Sequence, residues 1–314
     1  MNILIQKNIP LANFSTFKIG GEAEYFIEIK NKQDLEETLG WAKKNKLKIF
    51  ILGGGSNVLI NSDPIKGLVV KIKNQEIVCR GERLECGAGA ALKQVLSESV
   101  KNSLSGLEWT AGIPNATIGG AVRGNAGAFN ESISDIVETI EVFDSINYKF
   151  KLFSKKDCEF AYRESFFKKN DSFIVWSVVL KMFQKQMDEI NKKLEENLKY
   201  RMSHQPKLPS AGSVFKNVSF DIFKKSNVYL ANKAQDLKLV KNNSVGVGWI
   251  IDMAGDLKGK KIGGAKVSLE HANFIVNTGN ASSDDVVMLI SYIKQQVRNK
   301  FKIQLQEEIQ YFGF

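Results

Sequence analysis

The clearest helical pattern lies near the C-terminal end of the chain. Apolar residues recur there three or four positions apart, namely Val286, Leu289, Ile290, Ile293, Val297 and Phe301. This spacing puts them on one face of a helix, and Ser282 or Ser283 followed by two acidic residues is typical of a helix start. The pattern predicts a long amphipathic helix over residues 284–300 whose apolar face is core.

Shorter patterns indicate a mixture of strands and helices in the rest of the chain. Alternating or continuous apolar runs predict strands at 23–29, 48–52, 67–72, 76–80, 83–87, 137–144, 148–153, 172–182 and 303–312. We expect the strands 137–144 and 148–153 to form a hairpin around residues 145–147. Helical spacing predicts helices at 34–44, 91–101, 187–201, 228–237 and 247–254. This mixture predicts an α+β protein.

Prolines suggest where the chain changes from one lobe to the next. Pro64 follows a small α/β segment, and residues 204–209, HQPKLP, hold two of the five prolines and must end the preceding helix. We therefore expect three lobes, over residues 1–70, 71–202 and 203–301.

The charge balance favours anionic partners. Lys and Arg number 44 against 34 Asp and Glu, a formal net charge of +10. The basic residues are scattered and do not form a block with interleaved aromatics, which disfavours nucleic-acid binding. A phosphorylated small substrate would use the same charge.

Cysteine and apolar content point to the cytoplasm. Cys79, Cys86 and Cys158 are an odd number without C-x-x-C spacing, and the two histidines are far apart, so a disulfide scaffold and a metal site are both disfavoured. The N-terminus lacks a signal-type apolar region, and no stretch approaches the ~20 apolar residues of a membrane span. We expect a cytoplasmic protein without membrane insertion.

Two glycine-rich runs are candidates for ligand binding. Residues 106–130 contain six glycines, and residues 51–59, ILGGGSNVL, follow a predicted strand. Glycines let the backbone approach a ligand and turn its N–H groups toward an anion, although a single run could equally be a tight packing corner. Neither run fits a P-loop or the dinucleotide pattern G-x-G-x-x-G, so a Rossmann fold is disfavoured.

Four motifs occur in a family's order. They are GGGSN, GIPNATIGGAVRGNAGA, PSAGSVFKN and IGGAKVSLEHANFIVN, and TFKIGG and EEIQYFG extend the match to almost the whole chain. Through them the chain resembles the UDP-N-acetylenolpyruvoylglucosamine reductases, also called UDP-N-acetylmuramate dehydrogenases. Asn115 stands where the family usually has Gly, which puts the turn in question because Asn only partly tolerates positive φ.

The resemblance implies an FAD enzyme that uses NADPH. NADPH would reduce the flavin, which delivers hydride to the enol ether of UDP-N-acetylglucosamine enolpyruvate and gives UDP-N-acetylmuramate for peptidoglycan synthesis. The implied fold is a two-lobed FAD-binding domain of the PCMH or vanillyl-alcohol-oxidase type plus a third, α+β substrate-binding domain, with residues 302–314 returning to the first lobe. The compact interval 163–213 resembles the family's shorter form, which lacks an extra substrate-covering loop.

Hydride addition leaves negative charge beside a carboxylate, so the site needs a charge stabiliser and a proton donor. The resemblance assigns Arg163 of AYRES as the carboxylate ligand, Ser213 of SAGSVFKN as the proton donor, and Glu308 of EEIQYFG as an assisting group. Glu308 is preferred to the adjacent Glu307 only by register with the motif. Without the motifs, these would be a surface Arg, a turn Ser and edge-strand charges.

The resemblance also implies binding residues. Those for substrate are Tyr162, Lys216, Asn217 and His271. Those for FAD are Gly53, Gly54, Gly55, Ser56, Asn57, Val58, Gly112, Thr117, Gly119, Gly120, Asn125 and Ala126. The expected partners are thus a UDP-sugar and NADPH, with no obligate protein partner indicated.

Two other functions remain open at this point. One keeps the flavin fold but oxidises a small alcohol, which the PSAGSVFKN and EEIQYFG matches oppose. The other is a basic, non-catalytic nucleotide-binding or nucleic-acid-binding protein. Hydrolysis is disfavoured because no G-x-S-x-G occurs.

Overall fold

A computed structural model describes residues 4–314 of the chain. Its helices are α1 (Lys32–Lys44), α2 (Leu92–Lys101), α3 (Ile118–Gly124), α4 (Ile133–Ile136), α5 (Phe166–Lys169), α6 (Met187–His204), α7 (Phe220–Ser226), α8 (Val228–Asp236), α9 (Val247–Ala254) and α10 (Ser283–Phe301). Short 3-10 turns occur at Ala12–Phe14, Glu108–Thr110 and Lys156–Cys158.

The strands are mostly short. They are β1 (Gln6–Pro10), β2 (Glu22–Ile29), β3 (Ile49–Leu52), β4 (Val58–Ile60), β5 (Ile65–Ile72), β6 (Ile77–Arg80), β7 (Arg83–Gly87), β8 (Leu104–Ser105), β9 (Gly127–Ala128), β10 (Glu131–Ser132), β11 (Val137–Asp144), β12 (Lys149–Ser154), β13 (Phe173–Lys181), β14 (Phe183–Gln184), β15 (Ser210–Ser213), β16 (Val218–Ser219), β17 (Val240–Lys241), β18 (Ser244–Val245), β19 (Lys261–Ile262), β20 (Ala265–Val267), β21 (Phe274–Asn277) and β22 (Gln310–Phe312).

The chain divides into two compact units. Unit 1 comprises residues 1–9, 23–55 and 65–203, and unit 2 comprises residues 10–22, 56–64 and 204–314. The division into three lobes at residues 70 and 202 remains a prediction.

Unit 1 contains two large sheets and the two-stranded sheets β10-β9 and β14-β8. The first has the order β1-β2-β5-β3, with β5 pairing in parallel with both β2 and β3. Helix α1 connects β2 to β3 and buries Leu35, Leu39 and Ala42, because apolar residues three or four positions apart share one helix face. The second sheet, β12-β11-β13-β7-β6, is antiparallel, and α2 and α3 pack against it. One continuous core joins these elements around the fully buried Trp109.

Unit 2 is built on the antiparallel sheet β15-β21-β20-β19. Helix α10 packs against β19, β20 and α9, and all six apolar residues of its predicted stripe are buried. The predicted cap is also confirmed. Ser282 accepts a hydrogen bond from Asp285 N, and the Asp285 side chain accepts one from Ser282 N, each at 3.1 Å.

One predicted strand is wrong in its extent. Residues 303–309 are not a ladder strand, and only β22 at the end of the predicted segment pairs regularly, in parallel with β4. The apolar alternation is nevertheless obeyed, since Ile303, Leu305 and Ile309 are buried. Within the segment, Glu307 forms a single antiparallel bridge with Phe215, through bonds from Lys216 N to Gln306 O at 2.9 Å and from Glu308 N to Val214 O at 2.7 Å. Alternation reports burial on one side, and it does not report whether a strand partner exists.

The β11–β12 hairpin is confirmed, and a buried carboxylate closes its turn. Asp144 accepts hydrogen bonds from Ile146 N and Asn147 N at 3.0 Å and from Lys151 Nζ at 2.6 Å. The side-chain bonds from Asn147 and Lys151 lower the pKa of Asp144 well below its usual range, against the opposing effect of desolvation.

We expect Asp144→Asn to destabilise the protein by about 1–3 kcal/mol at pH 7, because it removes the charge that holds Lys151 and the turn. The pKa of Asp144 is lower in the folded than in the unfolded chain. Its contribution to stability is therefore complete above about pH 4 and declines as the pH falls toward the folded value. Urea unfolding of wild type and variant should show a difference in free energy of unfolding that narrows below about pH 4.

The control is Asp171→Asn, which alters a largely exposed carboxylate paired with Arg123 and should have little effect on the free energy of unfolding at any pH. A constant Asp144→Asn deficit down to pH 2 would contradict this account.

Candidate active site

The two glycine-rich runs meet in unit 1. A β-carbon at Gly54 would overlap the carbonyl oxygen of Asn115, and one at Gly53 would lie 2.9 Å from Thr117 Oγ1. Asn115 itself has φ +52°, the left-handed conformation that Asn tolerates better than most side chains. Asn115 thus supplies the positive-φ turn that a Gly would supply. The interpretation as a packing corner is correct for part of this region, because the glycines permit one backbone to lie against another.

Helix α3 starts where the runs meet. Thr117 is its N-cap and accepts a hydrogen bond from Gly120 N at 3.4 Å. A β-carbon at Gly119 would lie 2.8 Å from the β-carbon of Ala88, so Gly119 lets the helix pack closely on the chain after β7. A β-carbon at Gly120 would have only Thr117 Oγ1 within 4 Å, at 3.4 Å. Gly120 is therefore the glycine of this pair whose surface other protein atoms leave open.

Three further predicted cofactor residues have protein partners in unit 1. Asn125 ends α3 with φ +42°, donates to Ala161 O at 2.8 Å and accepts from Ser134 N at 3.3 Å. Ala126 donates its N–H to Ala121 O at 2.8 Å. Gly112, with φ +81°, faces Arg201, whose Cδ would lie 3.1 Å from a β-carbon added at Gly112. A contact of these residues with FAD remains a prediction.

Sequence analysis missed Lys71, which supports the first glycine run from the sheet. Lys71 lies on β5 opposite Leu52 of β3, and its ammonium group donates to Gly53 O at 2.7 Å. Burial, and to a lesser extent the charge of Lys73, lowers the pKa of Lys71 to about 8, while Glu28 opposes the shift. The available signal was a lysine in an otherwise apolar stretch, LVVKI.

The last two residues of the GGGSN motif, Ser56 and Asn57, and the following Val58 belong to unit 2. There Val58 pairs with Gln310 in the β4–β22 ladder, and Gln310 N donates to Asn57 O at 2.9 Å. The Asn57 side-chain amide donates to Glu308 O at 3.2 Å. In this unit the GGGSN motif therefore contacts the EEIQYFG motif directly.

Arg163 occupies a tight turn in unit 1. Its φ is +56°, a strained value for a side chain of this size, and Ala161 and Glu164 pair across the turn. The guanidinium donates to Gly127 O at 2.8 Å and lies 5.5 Å from the ring of Tyr162, which is 54% exposed. The strained turn therefore holds Arg163 against the glycine-rich run.

Ser213 and the chain around Glu308 are neighbours in unit 2. Ser213 ends β15 opposite Phe274, and the next residue, Val214, accepts from Glu308 N at 2.7 Å. The Ser213 hydroxyl makes no hydrogen bond with any of residues 4–314. The rival carboxylate, Glu307, accepts a hydrogen bond from Lys294 Nζ at 2.8 Å, and the choice of Glu308 over Glu307 remains a prediction.

Asn273, which sequence analysis did not single out, fixes the chain after Ser213. Its amide accepts from Phe215 N and donates to Phe215 O, both at 2.9 Å, and its carbonyl accepts from Val214 N at 2.8 Å. Asn273 N in turn donates to His271 Nδ1 at 3.1 Å. Asn273 lies in the motif LEHANF, but the sequence does not distinguish it from the neighbouring residues of that motif.

Three of the predicted substrate residues, His271, Asn217 and Lys216, belong to unit 2. His271 accepts at Nδ1, so its neutral ring carries the proton on Nε2, and burial is the main cause that lowers its pKa. Asn217 accepts from Val247 N at 3.3 Å, and Lys216 is half-buried next to Phe215. Arg163 and Tyr162 belong to unit 1, whereas Ser213, Glu308, Lys216, Asn217 and His271 all belong to unit 2.

Comparison with known proteins identifies the family. A family model described as FAD binding domain matches residues 23–146, and one described as UDP-N-acetylenolpyruvoylglucosamine reductase, C-terminal domain, matches residues 204–312. UDP-N-acetylenolpyruvoylglucosamine reductases from Solibacter usitatus and Prochlorococcus marinus are 32% and 36% identical to the chain over 99% and 100% of its length, and over 98% and 99% of their own. The chain belongs to the UDP-N-acetylenolpyruvoylglucosamine reductase family.

A solved structure agrees with this assignment. The UDP-N-acetylenolpyruvylglucosamine reductase from Thermus caldophilus matches with a TM-score of 0.76 at 29% identity and 99% coverage of both chains. The family confirms the α+β fold with an FAD-binding domain, FAD as the cofactor, and an oxidoreductase activity. Of residues 4–314, no helix is long and apolar enough to span a membrane.

We expect Gly120→Ala to weaken FAD binding at least about 10-fold, because the added methyl group would occupy the open surface beside Gly53 and Thr117. Gly124→Ala in the same helix is the matched control, since a β-carbon there meets nothing within 4 Å. Both variants gain a similar helix propensity. The measurement is flavin absorbance per protein after gel filtration. Equal FAD occupancy in the two variants would remove Gly120 from the cofactor site. Gly54 is unsuitable for this test because any side chain would displace Asn115.

Proposed function

We propose that this protein is an NADPH-dependent reductase that converts UDP-N-acetylglucosamine enolpyruvate to UDP-N-acetylmuramate for peptidoglycan synthesis, in the cytoplasm. Its partners in this proposal are the UDP-sugar and NADPH, with no nucleic acid, membrane or obligate protein partner. The compact interval 163–213 supports the family's shorter form. The observation that best supports the mechanism is the contact of Glu308 N with Val214 O at 2.7 Å, which brings the Glu308 and Ser213 motifs side by side in unit 2.

The residues of unit 1 fit FAD. Where the two glycine runs meet, Gly120 presents an open surface that a larger side chain would fill, and Lys71 holds Gly53 O from behind. When bound, FAD accepts electrons from NADPH and supplies hydride to the methylene carbon of the enol ether.

Each proposed catalytic residue then has one task. Arg163 binds the substrate carboxylate with its guanidinium fork and remains charged at any working pH. Ser213 gives its hydroxyl proton to the carbon next to that carboxylate. Because a hydroxyl is intrinsically a poor acid, nearby polar groups help to deliver this proton and then re-protonate the Ser213 oxygen. Glu308 assists either in stabilising the enolate or in the proton transfer. Glu307 remains in its ion pair with Lys294.

Ser213→Ala separates the two half-reactions. We expect the variant's flavin to be reduced by NADPH at near the wild-type rate and reoxidised by the enolpyruvyl sugar about 10²-fold to 10⁴-fold more slowly, because only the second step needs a proton donor. Ser213→Cys should recover part of the rate, since a thiol is a stronger acid than a hydroxyl. Ser210→Ala, three residues earlier on β15, is the matched control and should behave as wild type.

Stopped-flow absorbance at the flavin band measures both steps. In deuterium oxide, wild-type product should contain solvent deuterium on the carbon next to the carboxylate. A Ser213→Ala protein that is reoxidised by the sugar as fast as wild type would exclude Ser213 as the donor. A wild-type protein whose reduced flavin is reoxidised by oxygen but not by the sugar would favour the alternative, an oxidase of a small alcohol.

A further inference from the structure

Arg201 lies in the last turn of α6, with its side chain directed into unit 1. Its guanidinium donates to Trp109 O at 2.9 Å and lies 5.3 Å from the ring centre of Phe129. Gly112 leaves room for the side chain, since a β-carbon at that residue would lie 3.1 Å from Arg201 Cδ. Three residues of the glycine-rich run 106–130 therefore accommodate this one side chain.

The charge of Arg201 is not balanced by the protein. Its Nε is buried and has no acceptor among residues 4–314, and within that range Arg201 forms no ion pair. Glu108 accepts from Gly106 N and Glu131 accepts from Lys193 Nζ, each through one carboxylate oxygen, and the second oxygen of each is buried without a donor among residues 4–314. Neither carboxylate is hydrogen-bonded to Arg201 within that range. A partly buried guanidinium whose Nε donor is buried without an acceptor is costly, which makes an external acceptor the expected partner.

Arg163 is the charged neighbour of Arg201. Burial lowers the pKa of Arg201, and the positive charge of Arg163 lowers it further. The two guanidiniums contact the same short segment of the glycine-rich run, Arg163 at Gly127 O and Arg201 at the Phe129 ring. Asn197, one helical turn before Arg201, adds a second buried N–H donor without an acceptor among residues 4–314.

We propose that Arg201 binds the substrate carboxylate together with Arg163, so that two guanidiniums share one anion. The proposal rests on the proposed function in one respect, namely that Arg163 contacts that carboxylate. An anion between the two arginines would replace their repulsion by two attractions and give Arg201 Nε its acceptor. Because hydride addition increases the negative charge on the carboxylate side of the substrate, a second positive charge would stabilise the transition state more than the ground state.

The variant Arg201→Gln tests this assignment, with Arg201→Lys as the conservative variant. Arg298→Gln, an exposed arginine of α10, is the control for loss of one positive charge. In Arg201→Gln we expect normal FAD content and normal flavin reduction by NADPH. Reoxidation by the enolpyruvyl sugar should slow about 10-fold to 10²-fold, the fold-change of one charged hydrogen bond. Arg201→Lys should recover part of the loss, and UDP, which has no carboxylate, should bind as in wild type.

A double-mutant cycle distinguishes a shared anion from a structural role. If Arg163 and Arg201 bind one carboxylate, Arg201→Gln should have a much smaller effect on reoxidation in an Arg163→Gln background than in wild type. Purely structural damage would instead be additive and would also affect the NADPH step. Additive effects, loss of FAD, weaker UDP binding or unchanged reoxidation would each overturn the proposal, and weaker UDP binding would assign Arg201 to the diphosphate.

Binding without turnover separates this proposal from the proposed function. The rise in melting temperature caused by the enolpyruvyl sugar in the absence of NADPH should be present in wild type and Arg298→Gln and much smaller in Arg201→Gln. If the sugar stabilises wild type but does not reoxidise its flavin, the proposed function fails while the anion site is supported. If the sugar does not stabilise wild type, the assignment of Arg201 to this carboxylate is wrong.

Discussion

In unit 1 the backbone of Gly54 lies against the carbonyl oxygen of Asn115, so closely that no β-carbon fits between them. This contact joins the end of β3 to the turn before α3 and brings Gly53 beside Thr117, the N-cap of that helix. Lys71 holds Gly53 O from the neighbouring strand, so the loop is fixed on two sides. The open surface of Gly120, on which the proposed FAD site depends, lies three residues after the Thr117 that this close approach positions.

Partly buried positive charge is the second feature of unit 1. Lys71 and Arg201 both have a pKa lowered chiefly by burial, and each donates to a backbone carbonyl near the glycine-rich runs. A cation removed from water is destabilising unless it is paired, and a bound anionic ligand would supply the missing compensation. The basic excess of the whole chain says little about these two residues, because most of the other cations are solvated.

Unit 2 places its candidate residues through backbone contacts. Asn273 bonds to the backbone of Phe215 through its side-chain amide and accepts from Val214 N at its own backbone carbonyl, while Glu308 N donates to Val214 O. The chain on either side of Ser213 and Glu308 is thus held independently of their side chains. This leaves the Ser213 hydroxyl available for a substrate, while the side chain of Glu307 pairs with Lys294.

Sequence patterns alone determined most elements of the fold, the family and the motifs of the candidate site. The β11–β12 hairpin, the Ser282 cap of α10 and its buried stripe were predicted because these features depend on residues close together in the sequence. The extent of the closing strand was not, since a strand requires a partner and residues 303–309 meet a loop instead. Lys71, Asn273 and Arg201 also became visible only in the tertiary structure. Their significance comes from burial and from partners that are, as with Arg201 and Trp109, 92 residues apart, and no local pattern encodes either property.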